Sequence, residues 1–141
     1  MEKEIRPFHL AFPVYNIKKT IQWYTAILNC TIGRKSENWV DFNFFNHQIS
    51  AHKITSETSS LETNSVDGHN IPARHFGIVL KMDQWKALRN RLTSKDIKFI
   101  IKPNIRFKDE KGEQTTLFIQ DPSGNILEFK AFKNDSMIFE T

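Results

Sequence analysis

The sequence predicts an α+β fold of two tandem β-α-β-β-β modules, and three observations carry that reading. The spacing of apolar residues passes from two to helical and back to two, twice over and in the same order. A histidine occupies the same place in the opening strand of each copy, His9 in one and His75 in the other. Between the copies, seven of the eleven residues 55–65 are Ser or Thr, too little apolar surface to bury, so residues 55–70 read as a mobile surface loop joining repeats at 7–54 and 73–132. At 141 residues the chain suits a single domain, 1–141. Its sheet is expected to be cupped, mixed and mostly antiparallel, with the helices outside.

The first strand spans residues 8–14, where Phe8, Leu10 and Phe12 alternate with His9 and Ala11. A helix over 16–28 follows from the spacing of Ile17, Ile21, Tyr24 and Leu28, with Asn16 as N-cap and Trp23 and Tyr24 as core. Residues 31–34 and 39–45 return to strand. In the second of these Val40, Phe42 and Phe44 face opposite to Trp39, Asp41 and Asn43. Asn46-His47 is expected as a two-residue hairpin turn, and residues 48–54 as the returning strand, with Gln48, Ser50 and His52 on one face.

The pattern then begins again: a strand over 74–80 with His75 second, and a helix capped by Asp83 with Trp85, Leu88 and Leu92 as its apolar stripe. A strand over 98–102, a charged connection over 103–112 and a strand over 115–120 follow. In Asp121-Pro-Ser-Gly-Asn125 a proline presets φ, a glycine supplies positive φ and Asx side chains bond their own backbone, which makes a tight turn. The last strand, 125–132, sets Leu127, Phe129 and Ala131 against Ile126, Glu128 and Lys130, so a carboxylate stands mid-strand. An ionised Glu there needs a partner, and Arg106 suits better than Lys130. The tail after Lys133 is expected to pack loosely or at an interface.

Composition excludes several classes of function. The one cysteine, Cys30, cannot form an internal disulfide or a redox pair, and it reads as inert packing in a reducing, cytoplasmic setting. No stretch approaches the roughly 20 apolar residues of a membrane helix, so no membrane partner is expected. The net charge of +4 is interspersed along the chain and leaves no basic stripe for nucleic acid.

The repeat also nominates a site. His9 and His75 open the copies, and His52 and Glu128 close them 43 and 53 residues later. If both copies curl alike, the four side chains project onto one concave face. Two imidazoles and a carboxylate there form a facial triad for a divalent ion with open positions for a chelating substrate, and His52 is a fourth ligand or an acid/base group. His47 reads as a turn residue, and His69 as exposed or able to close over the site. Pocket walls could come from Asp41 and Asn43, or from Gln114, Thr116 and Phe118. Arg106, whose fork matches a carboxylate, suits an anionic substrate.

The double module, the opening histidines and Asp121-Pro-Ser-Gly-Asn-Ile-Leu-Glu128 resemble the vicinal oxygen chelate superfamily, which includes glyoxalase I, extradiol dioxygenases and fosfomycin and bleomycin resistance proteins. The likeness runs from about residue 7 to residue 132. Trp39 to Phe45, His47-Gln48, Val66 to His69, His75-Phe-Gly77 and Arg106 to Gln114 look most like the small extradiol-dioxygenase-related proteins. The resemblance implies His9, His75 and Glu128 as metal ligands, and it aligns His52 with an extra Glu or Gln ligand of glyoxalase I. It further implies a homodimer and a small-molecule substrate with vicinal oxygens. Fe(II) ring cleavage is the most specific reaction it implies; a glyoxalase-like isomerase or lyase using Zn, Ni or Mn, with Glu128 or His52 moving a proton, and a metal-free binding protein are the alternatives.

Overall fold

A computed structural model describes residues 3–55, 63–66 and 68–141. By contact the chain separates into two compact units, Met1–Thr58 and Ser59–Thr141. The first holds β1 (His9–Val14), α1 (Ile17–Leu28), β2 (Thr31–Lys35), β3 (Trp39–Phe44) and β4 (His47–Lys53). The second begins with a hairpin of β5 (Thr63–Val66) and β6 (His69–Pro72). It continues with β7 (Phe76–Val79), α2 (Met82–Ser94), β8 (Phe99–Arg106), β9 (Gln114–Gln120) and β10 (Ile126–Phe132), and closes on a 3-10 turn at Asp135–Met137. Each unit therefore carries a four-stranded sheet and one helix, with strand orders β1-β4-β3-β2 and β7-β10-β9-β8. Within each sheet the first and last strands of the module pair in parallel and the remaining pairs are antiparallel.

In the first unit Asn16 accepts a hydrogen bond from the Lys19 amide at 2.9 Å, and Asn29 ends α1 in the left-handed region at φ 55°. Tyr24 is fully buried and stacks on Phe42 at 5.0 Å, whereas Trp23 is only half-buried and meets Tyr24 edge-on. Its place on the flank of the helical stripe keeps Trp23 out of the core. The expected Asn46-His47 turn is displaced by one residue: Phe45 and Asn46 take φ of 50° and 68°, as a two-residue hairpin loop requires. His47 instead starts β4, where its Nδ1 accepts from the Phe8 amide at 2.8 Å.

In the second unit Trp85, Leu88 and Leu92 are buried against the sheet, and the Trp85 indole donates to the Phe129 carbonyl at 2.9 Å. Here α2 starts earlier than expected, with Lys81 as its N-cap and Asp83 inside the first turn. β8 runs on to Arg106 through part of the expected charged connection. The expected loop over 55–70 contains the β5–β6 hairpin, turned at Gly68 with φ 78°; its residues 56–62 and Asp67 lie outside the described residues. The tail packs on its own unit, where Met137 Sδ accepts from the Gly112 amide and Lys111 bonds the Thr141 carbonyl.

Candidate functional site

The 121–125 turn fixes how β10 enters the second sheet. Asp121 Oδ1 accepts from the amides of Ser123 and Asn125 at 2.8 and 2.9 Å, and Gly124 takes φ 89°. Along β10, Leu127, Phe129 and Ala131 are fully buried and Trp85 of α2 bonds the strand on that side. The alternate face presents Glu128, which is paired in register with Gly77 on one side and Phe118 on the other.

His75 lies just before β7, which starts two residues later than the sequence pattern suggests, and its imidazole turns toward Glu128. Nε2 stands 3.3 Å from Glu128 Oε1. Nδ1 lies 2.8 Å from the Pro72 carbonyl, and since a carbonyl only accepts, Nδ1 carries the hydrogen. Thr116 donates its hydroxyl to Glu128 Oε2 at 2.6 Å. Phe118 meets the imidazole edge-on at 5.3 Å. Glu128 thus pairs with His75, where the sequence favoured Arg106; Arg106 lies over the Phe107 ring at 4.9 Å.

This geometry carries an electrostatic demand. With its hydrogen on Nδ1, a neutral His75 turns a bare lone pair toward a carboxylate oxygen, and two acceptors at 3.3 Å repel unless a cation sits between them. In the metal-free protein that cation is a proton. The hydrogen bond to Glu128 raises the His75 pKa against the opposing effect of burial, with help from the Pro72 carbonyl. Burial by itself would raise the Glu128 pKa, yet the hydrogen bonds from His75 and Thr116 outweigh it, and the carboxyl is held below its ordinary value.

The linked stability has a defined window. His75 contributes fully below its ordinary value of 6.5 and loses its contribution as pH rises through its raised pKa; Glu128 contributes fully above its ordinary 4.5 and loses it as pH falls through its lowered one. In chelator the stability difference between the native chain and Glu128→Gln is therefore expected to be largest between those two values and to shrink on both sides. Urea unfolding across pH 3 to 9 measures it, and a difference independent of pH would contradict the pairing.

Around the pair opens a cavity of about 570 Å³. Thr116, Phe118, Arg106 and Glu128 line it as the sequence suggested, together with His75. His69 and Ile71 of the hairpin also line it, as do Asn104 and Lys108, which sequence reasoning passed over. Ile71 packs on a buried cluster of Ile101, Phe118 and Ile126, which seats the hairpin as a wall. The Asp-Gly at 67–68, a common hairpin turn, was the available signal. Gln114 is buried, with its amide on the Gly112 carbonyl, and is not part of the cavity lining.

The other nominated residues lie in the first unit. Asp41 and Asn43 line a separate cavity of about 350 Å³ beside Gln48, and Ser50 donates its hydroxyl to Asp41. His9 is exposed and pairs in register with Gln48, while the exposed His52 pairs with Pro13. The two therefore stand four residues apart along the strand pair, roughly 13 Å. Counting two residues on from each opening histidine reaches Ala11 and Gly77, whose partners are Ser50 and Glu128. Ser50 thus occupies in the first module the place of Glu128 in the second, and His52 lies one pleat beyond it.

Among the described residues no three His, Cys, Asp or Glu side chains come together as a metal-holding group. His75 and Glu128 nonetheless fit as two donors to a divalent ion. A carbonyl fixes the imidazole tautomer that bares Nε2, a hydroxyl steadies the carboxylate, and both donor atoms already require a cation. Cys30 takes no part, since it is buried and burial pushes its thiol up to about 12.

Two tandem β-α-β-β-β modules, each a four-stranded sheet with one helix, define the class of fold. Residues 6–129 match the model of the Glyoxalase/Bleomycin resistance protein/Dioxygenase superfamily, and the chain belongs to that superfamily. It is similar to a glyoxalase/bleomycin resistance protein/dioxygenase from Alicyclobacillus acidocaldarius, with 28% identity and a TM-score of 0.79 over 99% of this chain and 100% of the other. At fold level alone it also resembles a fosfomycin resistance protein from Listeria monocytogenes, with 14% identity, TM-score 0.63 and coverage of 93% and 94%. A lactoylglutathione lyase from Agrobacterium tumefaciens is similar in the same limited sense, with 11% identity, TM-score 0.62 and coverage of 92% and 96%. No curated protein matches the chain. Among the described residues no helix is long and apolar enough to cross a membrane.

Proposed function

We propose that this chain is a divalent-metal enzyme of the vicinal oxygen chelate type, acting on a small molecule with two neighbouring oxygens. The observation that carries the reading is the 3.3 Å approach of His75 Nε2 to a Glu128 carboxylate oxygen in a cavity. His75 Nε2 and Glu128 Oε1 would hold the ion, which when bound polarises the substrate oxygens and stabilises charge as it develops. Thr116 keeps the carboxylate from rotating, and Phe118 keeps the imidazole plane. The apolar wall excludes water from the reacting end. The repeat in the sequence nominates His9 as a further ligand and His52 as the group that moves a proton at its ring nitrogen. Fe(II) ring cleavage is the specific form of the proposal, because two imidazoles and one carboxylate suit Fe(II). A homodimer belongs to the same proposal and is read by sedimentation.

Protein purified anaerobically without chelator is analysed for metals and assayed for O2 uptake on a catechol panel. About one Fe per chain with uptake is the expected result. Stoichiometric Zn, Ni or Mn without uptake would replace ring cleavage by isomerase or lyase chemistry. Absence of metal even after reconstitution would overturn the enzyme reading and leave a binding protein.

A further inference from the structure

In the first unit β2 and β3 pair antiparallel, Thr31 with Asn43 and Ile32 with Phe42, and the register then slips so that Lys35 meets Val40. Two residues, Gly33 and Arg34, therefore stand opposite the single residue Asp41. Such a β-bulge bends its strand and re-aims a side chain. Its two residues have different consequences here. A Cβ built at Gly33 would meet Asp41 Cβ at 3.4 Å and the Asp41 carbonyl oxygen at 3.5 Å, so the glycine leaves open the space that a side chain would fill beside the aspartate. Arg34 lines the same cavity of about 350 Å³ as Asp41.

Arg34 and Asp41 carry opposite charges in one lining, yet they do not join. Among the described residues Arg34 makes no ion pair or hydrogen bond. Asp41 has the Ser50 hydroxyl on Oδ1, and the Gln48 amide reaches Oδ2 only at 3.5 Å. A carboxylate offers about four acceptor positions, and a contact at that distance is at the limit of a hydrogen bond, so Oδ2 stays open to a donor. Nearby, Asn43 Oδ1 accepts from the Asn46 amide at 2.8 Å, which leaves the Asn43 side-chain NH2 free to donate. A ligand with one charge would satisfy one of the two ions and leave the other unmatched. We propose that this cavity binds a small zwitterion of the α-amino acid class. Its ammonium lies on Asp41 Oδ2, its carboxylate on the Arg34 fork with the Asn43 amide, and its apolar side chain against Pro7. The inference goes beyond the metal reading and does not rest on it.

The full chain, kept in chelator, is titrated by calorimetry with L-valine, L-leucine and L-phenylalanine. Their primary amides, which keep only the ammonium, and the corresponding acids without the amine, which keep only the carboxylate, are titrated alongside. At least one amino acid should bind about 10-fold tighter than its deaminated acid, because Asp41 is half-buried and the contact is charge-assisted. Its margin over the amide should be smaller, about 3-fold, because Arg34 is exposed. Asp41→Asn should reduce the first margin below about 2-fold and Arg34→Met the second, each leaving the other margin in place. Gly33→Leu, whose Cβ makes only ordinary contacts, should keep the unfolding midpoint and lower amino acid affinity by at least about 10-fold as its side chain fills the opening. Should Asp41→Asn fail to fold by circular dichroism, the variants at the exposed Arg34 and Gly33 decide the matter. Absence of binding by all three amino acids, absence of either margin in the native chain, or survival of a margin in the folded variant meant to remove it would each overturn the proposal, as would unchanged affinity in Gly33→Leu. Metal content alone decides the metal reading, so the two stand or fall separately.

Discussion

Replacing His75 by alanine is expected to weaken binding of the divalent ion by more than about 100-fold while the fold survives. The figure follows from comparison with outer groups: losing a residue that merely orients a ligand costs about 10- to 100-fold in affinity, so losing a ligand costs more. Thr116→Val provides the internal scale. It keeps the buried volume and removes only the hydroxyl that donates to Glu128 Oε2 at 2.6 Å, so it should fall within that 10- to 100-fold range. Because His75 must shed a proton before Nε2 can bind metal, affinity in the native chain should also rise with pH through the raised His75 pKa. Calorimetric titration of the three proteins checks the order. Unchanged metal content in a folded His75→Ala chain would remove His75 from the site.

Gly77→Ala is expected to be the most damaging single-methyl substitution in the second unit. A Cβ built at Gly77 would fall 1.5 Å from the Glu128 carbonyl oxygen and 2.6 Å from its carbonyl carbon. Those atoms belong to the parallel partner strand, so no side chain can rotate aside and the β7–β10 pair itself must separate. The cost should exceed about 3 kcal/mol, beyond ordinary overpacking. Glu128 would move with its strand, so metal affinity should fall together with stability. Chemical unfolding measures the first and titration the second; an unfolding midpoint like that of the native chain would show that the two strands are not held this closely.

The elements were legible where burial set the period. β3 buries one face, and its alternation in the sequence matches the burial along it, as does the central part of β10 from Leu127 to Ala131. The Asp121 turn was legible because each of its residues has a single backbone purpose. Side-chain partners were less so. Glu128 called for a partner and the sequence favoured Arg106, whereas the chain path before β7 brings His75 to it. The placing of His52 opposite Glu128 relied on spacing between histidines, which is blind to strand register; the parallel pairing with β1 gives that place to Ser50. The hairpin was hidden because Ser and Thr contribute little hydrophobic signal, although Ile71 packs on the buried cluster.

The tie between Pro72 and His75 runs through a main-chain carbonyl. Substitutions exchange side chains and leave that oxygen in place, so the ring tautomer is inherited with the path of the chain. On the same strand, His69 and Ile71 point side chains at whatever occupies the cavity. Drift at those two positions can therefore retune which molecules are accepted while the imidazole keeps its chemistry, a separation of selectivity from reactivity within four residues of backbone.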